Sequence, residues 1–333
     1  MLAYFEQELR SVSGDSCLAL IYWNWTTNAT GSHGYPKAFE DAFPDGTRND
    51  NSGTAQPPVA PDEITALLKL PWPDFSAGIQ SPHGYIHVDY VGGHMTSPPT
   101  AAEDFIFYGH HAELDRIFAQ WQALHSGDKG PPNKKFTTSG FPRPTSTDDV
   151  RDISKLEYTY DTLGGVQAEA LAEAPYPPAA LSVTGGSVTT FPVDIKQLKS
   201  DARLVLDSVP VSREYSEQGL VYLHPENVPY QSEPDFIRAY FAGYFFIWKR
   251  TGADHPTHPA TMGVVVDLSR RYNRLAAAGT PKGKWVVTVV TSRVTEAPAG
   301  RKSVSSAALT FSAAAIRSAG GSTALKARKG GGK

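Results

Sequence analysis

The sequence predicts an α+β protein of more than one domain, with a helical N-terminal part, a linker and a β-rich C-terminal part. Three observations carry that expectation. Apolar residues recur at helical spacing over 1–12 and 104–124. From Ala202 onward, short runs rich in β-branched and aromatic residues occupy 202–211, 219–224, 237–249, 262–267 and 284–294. Between these regions, 163–200 is rich in Gly, Ala and Pro, including Pro175, Pro177 and Pro178. At 333 residues, with 40% apolar and 20% charged side chains, the chain has room for one or two packed cores.

The first helix places Leu2, Phe5 and Leu9 on one face, and Gly14-Asp15 ends it. Residues 17–25 form an apolar, aromatic run in which Cys17 is expected as a small buried residue. The Gly, Pro, Asn and Asp content of 31–60 predicts loop, and 62–70 predicts a short helix. Pro71 and Pro73 are expected to break the chain before a helix that carries His83. The clearest helix is 104–124, with Asp104 at its start and an apolar stripe of Leu114, Ile117, Phe118 and Trp121. Residues 201–302 predict a small β-sandwich with a helical turn at 268–278. The Ala-, Ser-, Gly- and Lys-rich stretch 303–333 is expected as a disordered tail.

Several function classes are disfavoured at once. The formal net charge is −3 and no basic stripe occurs, which argues against nucleic acid. Lys326, Arg328, Lys329 and Lys333 lie in the glycine-rich end. One cysteine builds neither an internal disulfide nor a thiolate zinc site. No run of about 18 apolar residues predicts a membrane span. The first twelve residues contain Glu6 and Glu8 and do not read as a signal peptide, so a soluble protein is expected, its compartment open. Asn24 and Asn28 each open a glycosylation sequon, relevant only to a secreted chain.

Chemistry concentrates in Ser81–Trp121. His83 and His87 stand four apart, so their imidazoles share one helix face and can reach one metal. His110 and His111 follow on the next strong helix, with Asp115 four residues after His111. A third imidazole from that helix would complete a site suited to copper, zinc or iron. Around these residues stand Asp104, Phe107 and Tyr108, and the segment V-G-G-x-M from Val91 to Met95. Together they resemble the second copper-binding half, CuB, of the tyrosinase and polyphenol oxidase family. LALIYWNW at Leu18–Trp25, the Arg48-Asn49 pair, the Tyr158-x-Tyr160 motif, FAGYFFIW and KWVVTVV extend the resemblance to plant-type members.

The resemblance implies an arrangement of domains. Residues 1–162 would be the CuB half of a type-3 copper four-helix-bundle domain, 163–200 a linker, 201–302 a C-terminal β-sandwich and 303–333 a tail. In that family two coppers, each held by three histidines, use dioxygen to oxidise phenolic substrates, o-diphenols to o-quinones. The implied CuB ligands are His83, His87 and His111, with His111 rather than His110 four residues before the aspartate. Asp115 would orient a ligand imidazole, while Gly84 and Val88 would line the substrate mouth. Gly84 and Gln80 stand where monophenol-hydroxylating members carry Asn and Glu, so plain diphenol oxidation is favoured. Ile21 and Phe105 replace two family prolines without removing a ligand. His94 is expected as an exposed loop residue.

Leu2 to Glu6 fit the end of the CuA pattern, whose histidines would precede Met1. The chain therefore reads as N-terminally truncated, carrying at most the CuB ion. His33, His125, His224, His255 and His258 lack CuA spacing. Two other readings stand beside the oxidase: a non-catalytic mononuclear copper-binding protein, and a dioxygen carrier of the haemocyanin kind. In plant-type members the β-domain often covers the copper mouth and keeps the enzyme latent, with the linker as the cleavage zone.

Overall fold

The computed structural model describes residues 2–27, 31–41, 48–54, 56–128, 130–136, 145–151, 153–156, 158–161, 163, 186–198, 201–249, 260–279, 282–296, 302–306, 310–318 and 321–329. The Asn28 sequon, His255, His258 and linker residues 164–185 lie outside them.

Helices dominate the first part: α1 (Leu2–Ser13), α2 (Lys37–Asp41), α3 (Pro61–Leu68), α4 (Trp72–Gly78), α5 (Gln80–Tyr85), α6 (Pro98–Ala101) and α7 (Ile106–Leu124). Pro61 opens α3 with Asp62 and Glu63 in its first turn, where carboxylates suit the positive helix end. α4 forms where Pro71 and Pro73 read as breakers. Pro73 is its second residue, and first-turn residues need no backbone N–H. The Asp104 carboxylate accepts from the Ile106 amide at 3.0 Å and so satisfies one open donor of α7. Of the expected α7 stripe, Ile117 and Trp121 are buried, while Leu114 and Phe118 are half-buried.

Two expectations here are corrected. α1 forms, but none of its residues is buried; Phe5 instead stacks on Tyr108 with ring centroids 4.4 Å apart. Cys17 is exposed. Its amide is tied to the Asp15 carboxylate at 2.8 Å in a local turn, and Trp23 and Trp25 supply the buried surface of that run.

The second part is antiparallel sheet. A short pair, β1 (Lys135–Phe136) and β2 (Thr145–Ser146), precedes it. β3 (Ser187–Val193), β4 (Arg203–Pro210), β5 (Ser216–Pro225), β6 (Phe241–Ile247), β7 (Thr261–Asp267) and β8 (Trp285–Glu296) follow. β9 (Lys302–Ser306), β10 (Ala313–Ser318), β11 (Gly321–Leu325) and β12 (Arg328–Lys329) complete the strands. One sheet has the order β11-β10-β4-β7. The other runs β12-β3-β8-β5-β6, with β9 also on β8. Leu204 and Leu206 of the first sheet share a core with Phe191, Val221, Leu223, Phe245, Val287 and Val289 of the second. That is the expected sandwich, in which inward side chains of two layers bury each other.

Its bounds differ from the expectation. β3 lies in the predicted linker, because the Thr/Val run Ser187–Val193 pairs with Thr291–Trp285 of β8. The predicted tail supplies β10, whose Ala314, Ala315 and Ile316 are buried against β4. Residues 234–240 form α8 (Pro234–Tyr240) instead of strand, since Pro234 and Asp235 favour a helix start. α9 (Ser269–Ala277) fits the helical turn expected at 268–278.

By compactness the chain divides into two units. One comprises residues 1–46, 50–76 and 100–170, and holds α7. The other comprises 47–49, 77–99 and 171–333, and holds α5 with the sandwich.

Candidate metal centre

α5 does not end at Tyr85. It continues as a π-helix over Ile86–Val91, a wider turn that re-aims the side chains beyond it. His83 lies in the α-helical part and His87 in the π-helical part. Their rings remain neighbours, with centroids 4.9 Å apart and planes at 70°.

Asn49 holds the C-terminal end of this turn. Its amide N–H donates to Val91 O at 2.7 Å and its side-chain Nδ2 donates to Asp89 O at 2.7 Å. Gly92 next door has φ +71°, and a Cβ there would sit 2.8 Å from the Asn49 side chain. Glycine is therefore required by conformation and by space. The Arg48-Asn49 pair was visible in the sequence, but its task was not.

The hydrogen bonds fix which nitrogens face a metal. His87 Nδ1 lies 2.9 Å from Met95 O. A carbonyl only accepts, so Nδ1 carries the proton and Nε2 offers its lone pair. His83 Nδ1 lies 3.0 Å from Gln80 Oε1, which leaves Nε2 as the donor to a metal in the same way. Gln80 thus orients the His83 ring. Burial lowers the His83 imidazole to about 4, so it stays neutral, the form in which imidazole binds metal.

On α7, His110 is wholly buried beside Trp25, with ring centroids 5.8 Å apart. His111 is half-buried and lies against Phe107 at 4.2 Å. One nitrogen from each of His83, His87, His110 and His111 lies within 4.8 Å of the others. Neutral imidazoles suit copper, and the donor set fits one such ion.

The other expected site residues have these surroundings. Asp115 was expected to orient an imidazole. Its carboxylate accepts from Tyr158 at 2.5 Å and Tyr160 at 2.6 Å. Burial and then the Asp115 charge raise both phenols well above the usual tyrosine range. Asp115 thus ties the Tyr-x-Tyr segment to α7. Next to Asp115, Arg116 makes a two-pronged ion pair with Glu113, both contacts at 2.7 Å.

Gly84 and Val88, expected to line the substrate mouth, pack against the sheet: a Cβ on Gly84 would be 2.4 Å from Phe246 Cδ1, and Val88 packs with Phe246, Val294 and Trp248. His94, expected exposed, is half-buried in the 3-10 turn Gly93–Thr96. His125 and His224 have local roles, with Nε2 atoms 2.8 Å from Leu68 O and Thr288 Oγ1 respectively.

The model of the common central domain of tyrosinase matches residues 47–124. A tyrosinase of Hahella sp. (strain CCB-MM4) is 29% identical over 136 residues, 37% of this chain and 28% of that protein. Hemocyanin 2 of Megathura crenulata is 32% identical over 123 residues, 30% of this chain and 4% of that protein. The chain thus spans well under two thirds of these relatives. Among solved structures, a recombinantly expressed latent aurone synthase (polyphenol oxidase) is similar in fold. Its TM-score is 0.58 at 14% identity, covering 93% of this chain and 74% of that one.

Proposed function

We propose, from its place in the tyrosinase and polyphenol oxidase family, that the chain is a copper-dependent oxidase converting o-diphenols to o-quinones with dioxygen, or a remnant of such an oxidase. The observation that carries this reading is the group of four imidazoles inside the matched tyrosinase domain. We take His83, His87 and His111 as the ligands, His111 being chosen by its spacing to Asp115. Copper, when bound, supplies one-electron cycling between Cu(I) and Cu(II). The chain's part is to hold neutral imidazoles at fixed angles: Met95 O and Gln80 Oε1 set the two rings on α5 and its π-helical extension.

One observation favours a second reading, a mononuclear copper-binding protein. Among the described residues, this is the one group of three or more His, Cys, Asp or Glu side chains placed to hold a metal. Copper loading followed by a catechol assay separates the two. Quinone formation that requires copper supports the oxidase. One copper per chain, with the paramagnetic resonance signal of isolated Cu(II) and no quinone, supports the mononuclear protein. A chain that retains no copper refutes both.

A further inference from the structure

We propose that Trp248, the residue after β6, is a positioning residue for the His87 imidazole. The proposal rests on the copper reading above and adds to it a residue far away in the sequence. Within the unit that holds α5 and the sandwich, the Trp248 ring lies 4.1 Å from the His87 ring, tilted by 35°. It meets the His83 ring edge-on at 5.9 Å and 90°. Its indole Nε1 donates to Thr96 O at 3.0 Å. The preceding carbonyl, Met95 O, accepts from His87 Nδ1. Two consecutive carbonyls of one 3-10 turn therefore hold the imidazole and the indole that lies over it.

These contacts act on different motions of the same ring. The Met95 bond fixes the direction of Nδ1 and still allows the ring to tilt about that bond. The indole face opposes that tilt, and the Thr96 bond keeps the indole in place. Beneath it, Val88, Phe246 and Val294 form one apolar cluster against which Trp248 packs. The close approach of Gly84 to Phe246 sets the spacing between α5 and β6. Trp248 thus stands on a rigid strand end, where a positioning group works best. A plain packing role would make Trp248 matter for stability and leave copper affinity alone. A positioning role makes it matter for both.

The test uses the full chain and copper(II) alone, titrated in competition with a chelator. W248L and W248M keep apolar bulk without a planar face, and W248F restores an aromatic face. W248L and W248M are expected to bind copper at least about 10-fold more weakly, with an altered Cu(II) hyperfine coupling. W248F is expected within about threefold of the unaltered chain, with its coupling restored. Circular dichroism establishes which variants fold, and either W248L or W248M suffices. If a folded variant of that pair binds copper like the unaltered chain, with the same hyperfine coupling, the proposal is overturned while the copper reading stands. If the unaltered chain binds no copper, both fall.

Discussion

Replacing Gly84 with alanine tests how closely the ligand-bearing helix must approach the sheet. The added Cβ would lie 2.4 Å from Phe246 Cδ1 and 2.8 Å from Phe246 Cβ. Turning the Phe246 ring relieves the first contact but leaves the second, because Cβ is fixed to the backbone. α5 or β6 must therefore move. Overpacking of this kind costs about 1–3 kcal/mol. Alanine in a helix recovers about 1 kcal/mol over glycine. A net loss of up to about 2 kcal/mol is expected, read as a lower urea midpoint with an unchanged slope. Shortening Phe246 to alanine removes Cδ1 and Cγ, which lie 2.4 and 2.8 Å from the added Cβ, so the cost of G84A should shrink in that background. A G84A protein more stable than the unaltered one by about 1 kcal/mol, the full helix gain of alanine with no overpacking cost, would refute the close packing of α5 on β6.

Three further outcomes follow from the site. H125A and H224A should bind copper as the unaltered chain does, each losing about 1 kcal/mol with its hydrogen bond; copper loss in either would redraw the site. Y160F should destabilise the fold by about 1–2 kcal/mol, since it removes a hydrogen bond to the Asp115 carboxylate. An unchanged melting temperature would sink that role. In the metal-free protein, His83 has a folded value of about 4, below its ordinary 6.5. The unfolded chain therefore binds the proton more readily, and stability is complete above about pH 6.5 and is lost as pH falls through about 4. H83N should flatten that stretch of the stability profile, and a slope unaltered by H83N would count against it.

Much of the centre is legible in the sequence because it is written in helical spacing. His83 and His87 are four apart, and α7 carries a periodic apolar stripe with His110 and His111 on it. What resisted reading depends on partners distant in sequence. Asn49 reaches Asp89, Trp248 reaches Thr96, and Asp115 is taken by Tyr158 and Tyr160. None of these pairings leaves a local pattern. β3 and β10 were hidden for a related reason. The Ala-rich β10 has little strand propensity of its own, and the Thr/Val run of β3 is set in Gly-, Ala- and Pro-rich surroundings; pairing with β4 and β8 makes them strands. Cys17 was misplaced because an apolar run says which segment is buried and not which of its residues are.

The central claim is that His83, His87 and His111 together hold copper. The most direct test is the copper retained per chain after loading and desalting, for the unaltered protein and for H87A and H111A, each shown to be folded. About one bound ion is expected in the unaltered chain, by the donor set of the centre, and its loss in both variants. Full retention in either folded variant would contradict it, as would an unaltered chain that holds none.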